Sequence, residues 1–206
     1  MPRRLPRYAR GPGQEVAVTI SFEVGEDLQD VVEAVEAFAL DQVRPRLREA
    51  EHAGLPEDLA QALFELGLCT LALPESLGGL DELDVCGAAL VSEALAWGDL
   101  GVAAAVPGPR SAGACVLELG SAEQAARLLA PFADEEQGWQ RSGTLAWAEG
   151  PFGVDPDAIE ATARREGEEW LLSGTKRYVW AGDRATLTVV LARDAASQAP
   201  DPWDRL

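Results

Sequence analysis

Between Arg164 and Arg193 the chain leaves the periodicity that governs most of what precedes it, and this switch limits the fold more than any other feature. The stretch holds an apolar run, Trp170-Leu171-Leu172, then Ser173-Gly174-Thr175-Lys176 and Tyr178-Val179-Trp180. A turn at Ala181-Gly182-Asp183 leads to a second run, Leu187-Thr188-Val189-Val190-Leu191-Ala192. β-Branched and aromatic residues dominate, Gly167 and Gly182 punctuate, and the connections are short enough for hairpins, which predicts antiparallel β structure. Upstream, apolar residues recur at helical steps. The expected fold is α+β: an N-terminal helical bundle of roughly five or six helices followed by a partial antiparallel β domain.

The helical signals come in order. From Asp27, placed to cap, Leu28, Val31, Val32, Val35, Phe38 and Ala39 make an apolar stripe that should end or kink near Pro45. Pro56 suits a first helical position, Leu59, Leu63 and Leu66 follow, and Gly67 closes that helix. Asp84 to Trp97 is rich in small residues and suited to close packing. Val102 to Val106 is a short apolar piece stopped by Pro107-Gly108-Pro109, and Ser111 to Leu119 is a helix ending at Gly120. Ser121 and Gln124 form a capping box for the next helix. The polar connector Asp134 to Arg141 marks the change to β structure. The expected divisions are a tail or lead-in over 1–24, with a possible edge strand at Val16–Val24, a helical domain over 25–137, a partial β domain over 138–194, and a mobile C-terminus over 195–206.

Seventeen basic against 35 acidic residues give a formal charge of −18, which repels phosphate backbones and anionic lipid alike. Nucleic acid and membrane surfaces are therefore not expected as partners. With no long apolar run and no secretory h-region in the start MPRRLPRYARGPG, the expected location is cytoplasmic and the start is read as a tail, the alternatives being a short Arg-rich transit peptide or a misassigned initiation site. Cys69, Cys86 and Cys115 are odd in number, widely spaced and set in apolar surroundings, so they are expected to be buried thiols and not a disulfide framework or metal site. His52 is the only histidine, which removes His-based triads and the usual zinc clusters. Glu135-Glu136, Glu168-Glu169, Arg164-Arg165 and Arg184 read as solvated surface.

Several segments carry a resemblance. Glu65-Leu66-Gly67-Leu68 precedes Leu73-Pro74-Glu75-Ser76-Leu77-Gly78-Gly79. Gly120-Ser121-Ala122-Glu123-Gln124 precedes Leu128-Leu129 and Pro131, and Gly174 and Lys176 stand as a G-x-K ahead of Gly182. From about Val24 to Arg193 the chain resembles the N-terminal and middle domains of the flavin-dependent acyl-CoA dehydrogenases. The resemblance implies FAD, an acyl-CoA thioester as substrate, and either a homo-oligomer or a separate chain that supplies a C-terminal helical domain. In the family that domain carries the glutamate that takes the α proton, so no residue of this chain is assigned as catalytic, and none as a metal ligand.

The family's first flavin motif, roughly Y-C-x-T-E-P-x-A-G-S-D, falls on Leu145 to Asp155, and its W-I-T-N-G falls on Tyr178 to Gly182. The cofactor-binding positions carried over are Trp147, Ala148, Glu149, Gly153, Tyr178, Val179 and Trp180. Glu149, Gly153 and Asp155 are kept. The threonine and serine hydroxyls fall on Ala148 and Val154, and Trp180 replaces the hydroxyl residue beside the flavin N5. Two readings follow. One is an acyl-CoA dehydrogenase-like protein taking part in FAD-dependent α,β-dehydrogenation, incomplete alone. The other is a degenerate, non-catalytic relative acting as an assembly or interaction subunit, or a remnant.

Overall fold

The computed structural model describes residues 24–79, 85–151 and 154–206, so the Val16–Val24 segment lies, but for its last residue, outside the described residues. Helix α1 (Glu26–Phe38) starts from Gly25, whose side chain cannot cap, and Asp27 sits in the first turn, where its charge favours the N-terminal end. The helix widens into a π turn at Ala39–Val43 and tightens into a 3-10 turn at Arg44–Arg46. Pro45, which has no N–H to donate, therefore falls where regular α-helical bonding has already stopped.

Helix α2 (Leu47–Ala53) ends at Gly54, and α3 (Glu57–Glu65) starts after an extended Pro56. Arg46 pins the two together with a two-pronged contact to Asp58, Nη1 to Oδ2 at 2.7 Å and Nη2 to Oδ1 at 2.9 Å. Four more helices follow: α4 (Val85–Gly98), α5 (Leu100–Ala105), α6 (Arg110–Leu119) and α7 (Ala122–Leu129). The described residues thus hold seven α-helices where five or six were expected. One extra helix comes from the break at Pro45. Another is α5, which the sequence shows only as an apolar piece; Asp99 starts it by accepting the Val102 N–H at 2.7 Å.

The main core is helical. Val35, Ala39 and Val43 meet Leu59 and Leu63 of α3, Val91 and Leu95 of α4, and Val102 of α5. Leu63 is wholly buried, and such a side chain contributes about 1.5–3 kcal/mol by leaving water. Close approach is possible because of Gly98: a Cβ there would lie 2.6 Å from the Ala39 carbonyl oxygen. Among the three thiols only Cys69 is buried. Cys86 is exposed and Cys115 partly so, because an apolar neighbourhood in sequence does not fix which face of a helix a residue occupies.

Five short strands follow: β1 (Gly143–Ala146), β2 (Thr162–Glu166), β3 (Glu169–Ser173), β4 (Leu187–Val190) and β5 (Arg193–Asp194). β2 and β3 form the expected antiparallel hairpin, with Arg164 opposite Leu171, turning at Gly167 in the left-handed region. The other two pairings are parallel: β1 with β4, Leu145 opposite Val189, and β2 with β5, Thr162 opposite Arg193. The chain leaves β1, makes the hairpin and returns in the same direction. β1 therefore covers one side of the Leu187–Val190 run, and pairing extends to a bond from the Leu191 N–H to the Ala146 carbonyl at 3.0 Å.

A second core joins the two layers. Leu73, Val116 of α6, Leu129 of α7 and Phe132 are buried together, with Leu187 and Val189 of β4 packed against them. The hairpin stands outside both cores, and β3 is exposed along its whole length. Among the described residues no helix is long and apolar enough to cross a membrane.

Candidate functional site

The two segments singled out in the sequence lie side by side in opposite directions. Thr144 Oγ1 donates to the Trp180 carbonyl at 2.6 Å, Lys176 Nζ to the Trp147 carbonyl at 3.2 Å, and the Arg177 N–H to the Ala148 carbonyl at 2.8 Å. Trp147, Tyr178 and Trp180 keep their rings exposed, Val179 is half-buried and Ala148 is buried. Gly153 lies outside the described residues. Next to the junction is an open cavity of about 350 Å³, lined in part by Trp147, Glu149, Val154 and Ile159.

Glu149 is at the centre of this junction. Its Oε1 pairs with Lys176 Nζ at 2.7 Å and accepts the Ala161 N–H at 2.9 Å, while Oε2 accepts the Glu160 N–H at 2.7 Å. The side chains are 8% exposed at Lys176 and 18% at Glu149, so the pair is largely withdrawn from water. Burial alone would raise the Glu149 pKa, but the Lys176 ammonium and the two backbone N–H groups outweigh it and hold the carboxyl below its ordinary value. Gly174 permits the same closure. Its φ is +141°, and a Cβ would lie 2.6 Å from Ala161 Cα. Glu149, Gly174 and Lys176 together fasten the segment after β3 onto the segments that flank the cavity.

Trp180 is tied across the layers. Its Nε1–H donates to the Ala104 carbonyl in α5 at 3.0 Å, and Arg110 donates to the same oxygen from Nη1. Among the described residues the non-glycine positions in the left-handed region are Arg110, Tyr178 and Ala181, all at or beside this contact. Such backbone costs of order 1–3 kcal/mol per residue and persists only where the surroundings enforce it. Beside Arg110 the Gly108 N–H donates to the Arg141 carbonyl and the Gly143 N–H to the Gly108 carbonyl, both at 2.8 Å, while beside Tyr178 and Ala181 the Arg177 N–H donates to the Ala148 carbonyl at 2.8 Å and the Arg184 N–H to the Ala181 carbonyl at 3.1 Å.

Thr144, Ala161, Ala104 and Arg110 were not singled out from the sequence. Only Arg110 carries a local signal, as a cation directly after Pro107-Gly108-Pro109 at a helix start.

At the positions where the resemblance places flavin-bonding hydroxyls, no side-chain donor is free. Ala148 and Val154 have none, Glu149 and Lys176 are engaged with each other, and the Trp180 N–H is engaged with Ala104. The described residues do not fit the hydroxyl-lined flavin bed that the resemblance implies.

A helical bundle packed through α6 and α7 onto a small sheet, with these two segments joined at the edge, defines an α+β class shared with the N-terminal and middle parts of acyl-CoA dehydrogenases. Residues 25–136 match the acyl-CoA dehydrogenase N-terminal domain, and the chain belongs to the acyl-CoA dehydrogenase family. The short-chain specific acyl-CoA dehydrogenase of Rattus norvegicus mitochondria is 30% identical over 175 residues, covering 84% of this chain and 41% of that protein. The glutaryl-CoA dehydrogenase of Mycobacterium smegmatis, solved in complex with FADH2, superposes with a TM-score of 0.71 at 26% identity, over 84% of this chain and 44% of that one. The butyryl-CoA dehydrogenase of Megasphaera elsdenii shares the fold with a TM-score of 0.71 at 23% identity, over 84% and 46% of the respective chains. The chain thus spans less than half the length of these relatives.

Proposed function

We propose that this chain is an acyl-CoA dehydrogenase-type subunit that keeps the family's framework without a working flavin bed of its own, and that it serves in assembly or interaction. One observation carries this reading. Of the motif residues that are kept, Glu149, Gly174, Lys176 and Asp155, which accepts the Asp157 N–H, have structural tasks that need no cofactor, whereas the positions that only a flavin would explain have become Ala148, Val154 and Trp180. A second reading is favoured by the exposed rings of Trp147 and Tyr178 beside the joined motifs, since aromatic faces suit stacking on a flat heterocycle. In that reading the chain forms one edge of an FAD-dependent acyl-CoA-oxidising site.

The test is a flavin fluorescence titration of the 206-residue chain and of the double variant Ala148→Thr/Trp180→Thr, with dye reduction by acyl-CoA thioesters alongside. The purified chain should be colourless, bind FAD weakly or not at all, and reduce no dye. The double variant restores two hydroxyls, each worth about 0.5–1.5 kcal/mol, and should bind FAD several-fold more tightly. Stoichiometric yellow flavin in the unmodified chain would put the second reading in front.

A further inference from the structure

The β3 strand is the outer member of the three-stranded β3-β2-β5 sheet, and among the described residues the backbone of Glu169–Ser173 makes no bond outside its pairing with β2. Gly167 is the first of the two turn residues between Glu166 and Glu169 and has a φ of +65°, the arrangement of a type II′ hairpin turn. Such a turn makes Glu166 and Glu169 a hydrogen-bonded pair, and bonded and unbonded pairs then alternate along the ladder. Trp170 and Leu172 fall on unbonded pairs, opposite Arg165 and Ala163, so their N–H and C=O groups point away from β2 and off the open edge.

Folded proteins blunt such an edge with lysine, proline or a bulge. β3 reads Glu-Trp-Leu-Leu-Ser, with neither lysine nor proline, and its register with β2 is unbroken. Trp170, Leu171 and Leu172 are each about half exposed. The strand is also complementary to itself. In an antiparallel pair of copies with a two-fold axis at Leu171, Glu169 lies opposite Ser173, Trp170 opposite Leu172 and Leu171 opposite its own counterpart. Every outward N–H and C=O then meets one of the opposite kind, and no like charges face each other. Other registers are poorer. Moving the axis toward Gly167 sets Glu169 against Leu171 or against another Glu169, and moving it the other way runs off the strand, because the chain turns at Gly174 onto Ala161. A parallel pairing in register puts like glutamates side by side.

We propose that the β3 edge is a docking site for a second copy of this chain, the two β3 strands pairing antiparallel about a two-fold axis at Leu171 and joining two three-stranded sheets into one. Both copies use the same strand, so the contact closes at the dimer. At a formal charge of −18 the copies repel at long range, and added salt tightens the contact by screening that repulsion. The pairing gives the interaction role proposed above a partner and rests on that reading. A chain that binds no FAD and stays monomeric would remove the pairing and leave the reading in place, whereas stoichiometric FAD in a chain that still dimerises would do the reverse.

Sedimentation equilibrium and cysteine cross-linking of the full chain test it. The chain should fit a monomer–dimer equilibrium without larger species, and the dimer should tighten several-fold as salt is raised. In a Cys86→Ser/Cys115→Ser background, Leu171→Cys should give a disulfide-linked dimer on mild oxidation, because directly opposed residues on an unbonded pair have Cα atoms about 4.5 Å apart, within the span of a disulfide. Glu169→Cys should not, since the two-fold axis holds its two copies about 13 Å apart along the strands. Leu171→Lys sets two ammonium groups against each other and should weaken the dimer at least tenfold, with circular dichroism to show that the variant folds; the cross-linking pair decides the matter if it does not. The proposal is overturned by a monomer at every concentration, by open-ended association, by Glu169→Cys linking as readily as Leu171→Cys, or by unchanged dimerisation in folded Leu171→Lys.

Discussion

The Glu149 carboxylate accepts from Lys176 and from two consecutive backbone N–H groups, and little water reaches it. Removing the ammonium alone leaves a half-compensated anion in a low-dielectric place. Lys176→Met should therefore cost about 3 kcal/mol, read as a lower midpoint in urea denaturation. The pH dependence follows from the sign of the shift. A carboxyl whose folded pKa lies below its unfolded one adds stability that is complete above the ordinary glutamate value of about 4.3 and is lost as the pH falls through the folded value. The Tm of the unmodified chain should fall more steeply across that acid window than the Tm of Glu149→Gln.

At the level of single elements, local chemistry decides some boundaries and tertiary packing decides others. Ser121 accepts the Gln124 N–H at 3.1 Å and Gln124 Oε1 accepts the Ser121 N–H at 2.8 Å, so both ends of the box are made. Ser121→Ala should cost about 1 kcal/mol, seen as a small shift in thermal midpoint with the fold unchanged. β3 is the outer strand of the β3-β2-β5 sheet and exposes Trp170, Leu171 and Leu172. An open edge with apolar side chains is a template for pairing with another chain. Sedimentation should show concentration-dependent association, and Leu171→Lys should reduce it. A stable monomer at high concentration, with slow amide exchange along β3, would count against this.

Across the whole molecule, what the sequence made visible was what neighbouring residues determine. The α1 stripe, the Ser121 box, the Gly167 turn and the α+β order all rest on spacings of a few residues. The parallel partnership of β1 and β4 was not visible, because nothing in Gly143–Ala146 names Leu187–Val190 as its neighbour. The candidate site divides in the same way. Its two segments were legible as motifs, and their missing hydroxyls with them, but the tie from Trp180 to Ala104 crosses from the β layer to the helices and leaves no local trace. Whether a retained residue serves the fold or a cofactor was equally hidden, since Glu149 and Lys176 show their task only once Ala161 lies between them and Gly174.

The Glu149–Lys176 pair has one more consequence, for the chain as a connected thread. It joins two points that bracket the entire β2–β3 excursion, so it works as a clasp at the neck of a loop. What lies inside a clasped loop can be severed without parting the pieces. A single protease cut in the exposed Glu166-Gly167-Glu168 turn should leave two fragments that travel together on a native gel and separate only in denaturant. The same cut made in Lys176→Met, where the neck is open, should let the hairpin halves drift apart and expose the segments to further digestion, leaving the β1–β4 and β2–β5 pairings, the Trp180–Ala104 bond and the second core to hold the pieces.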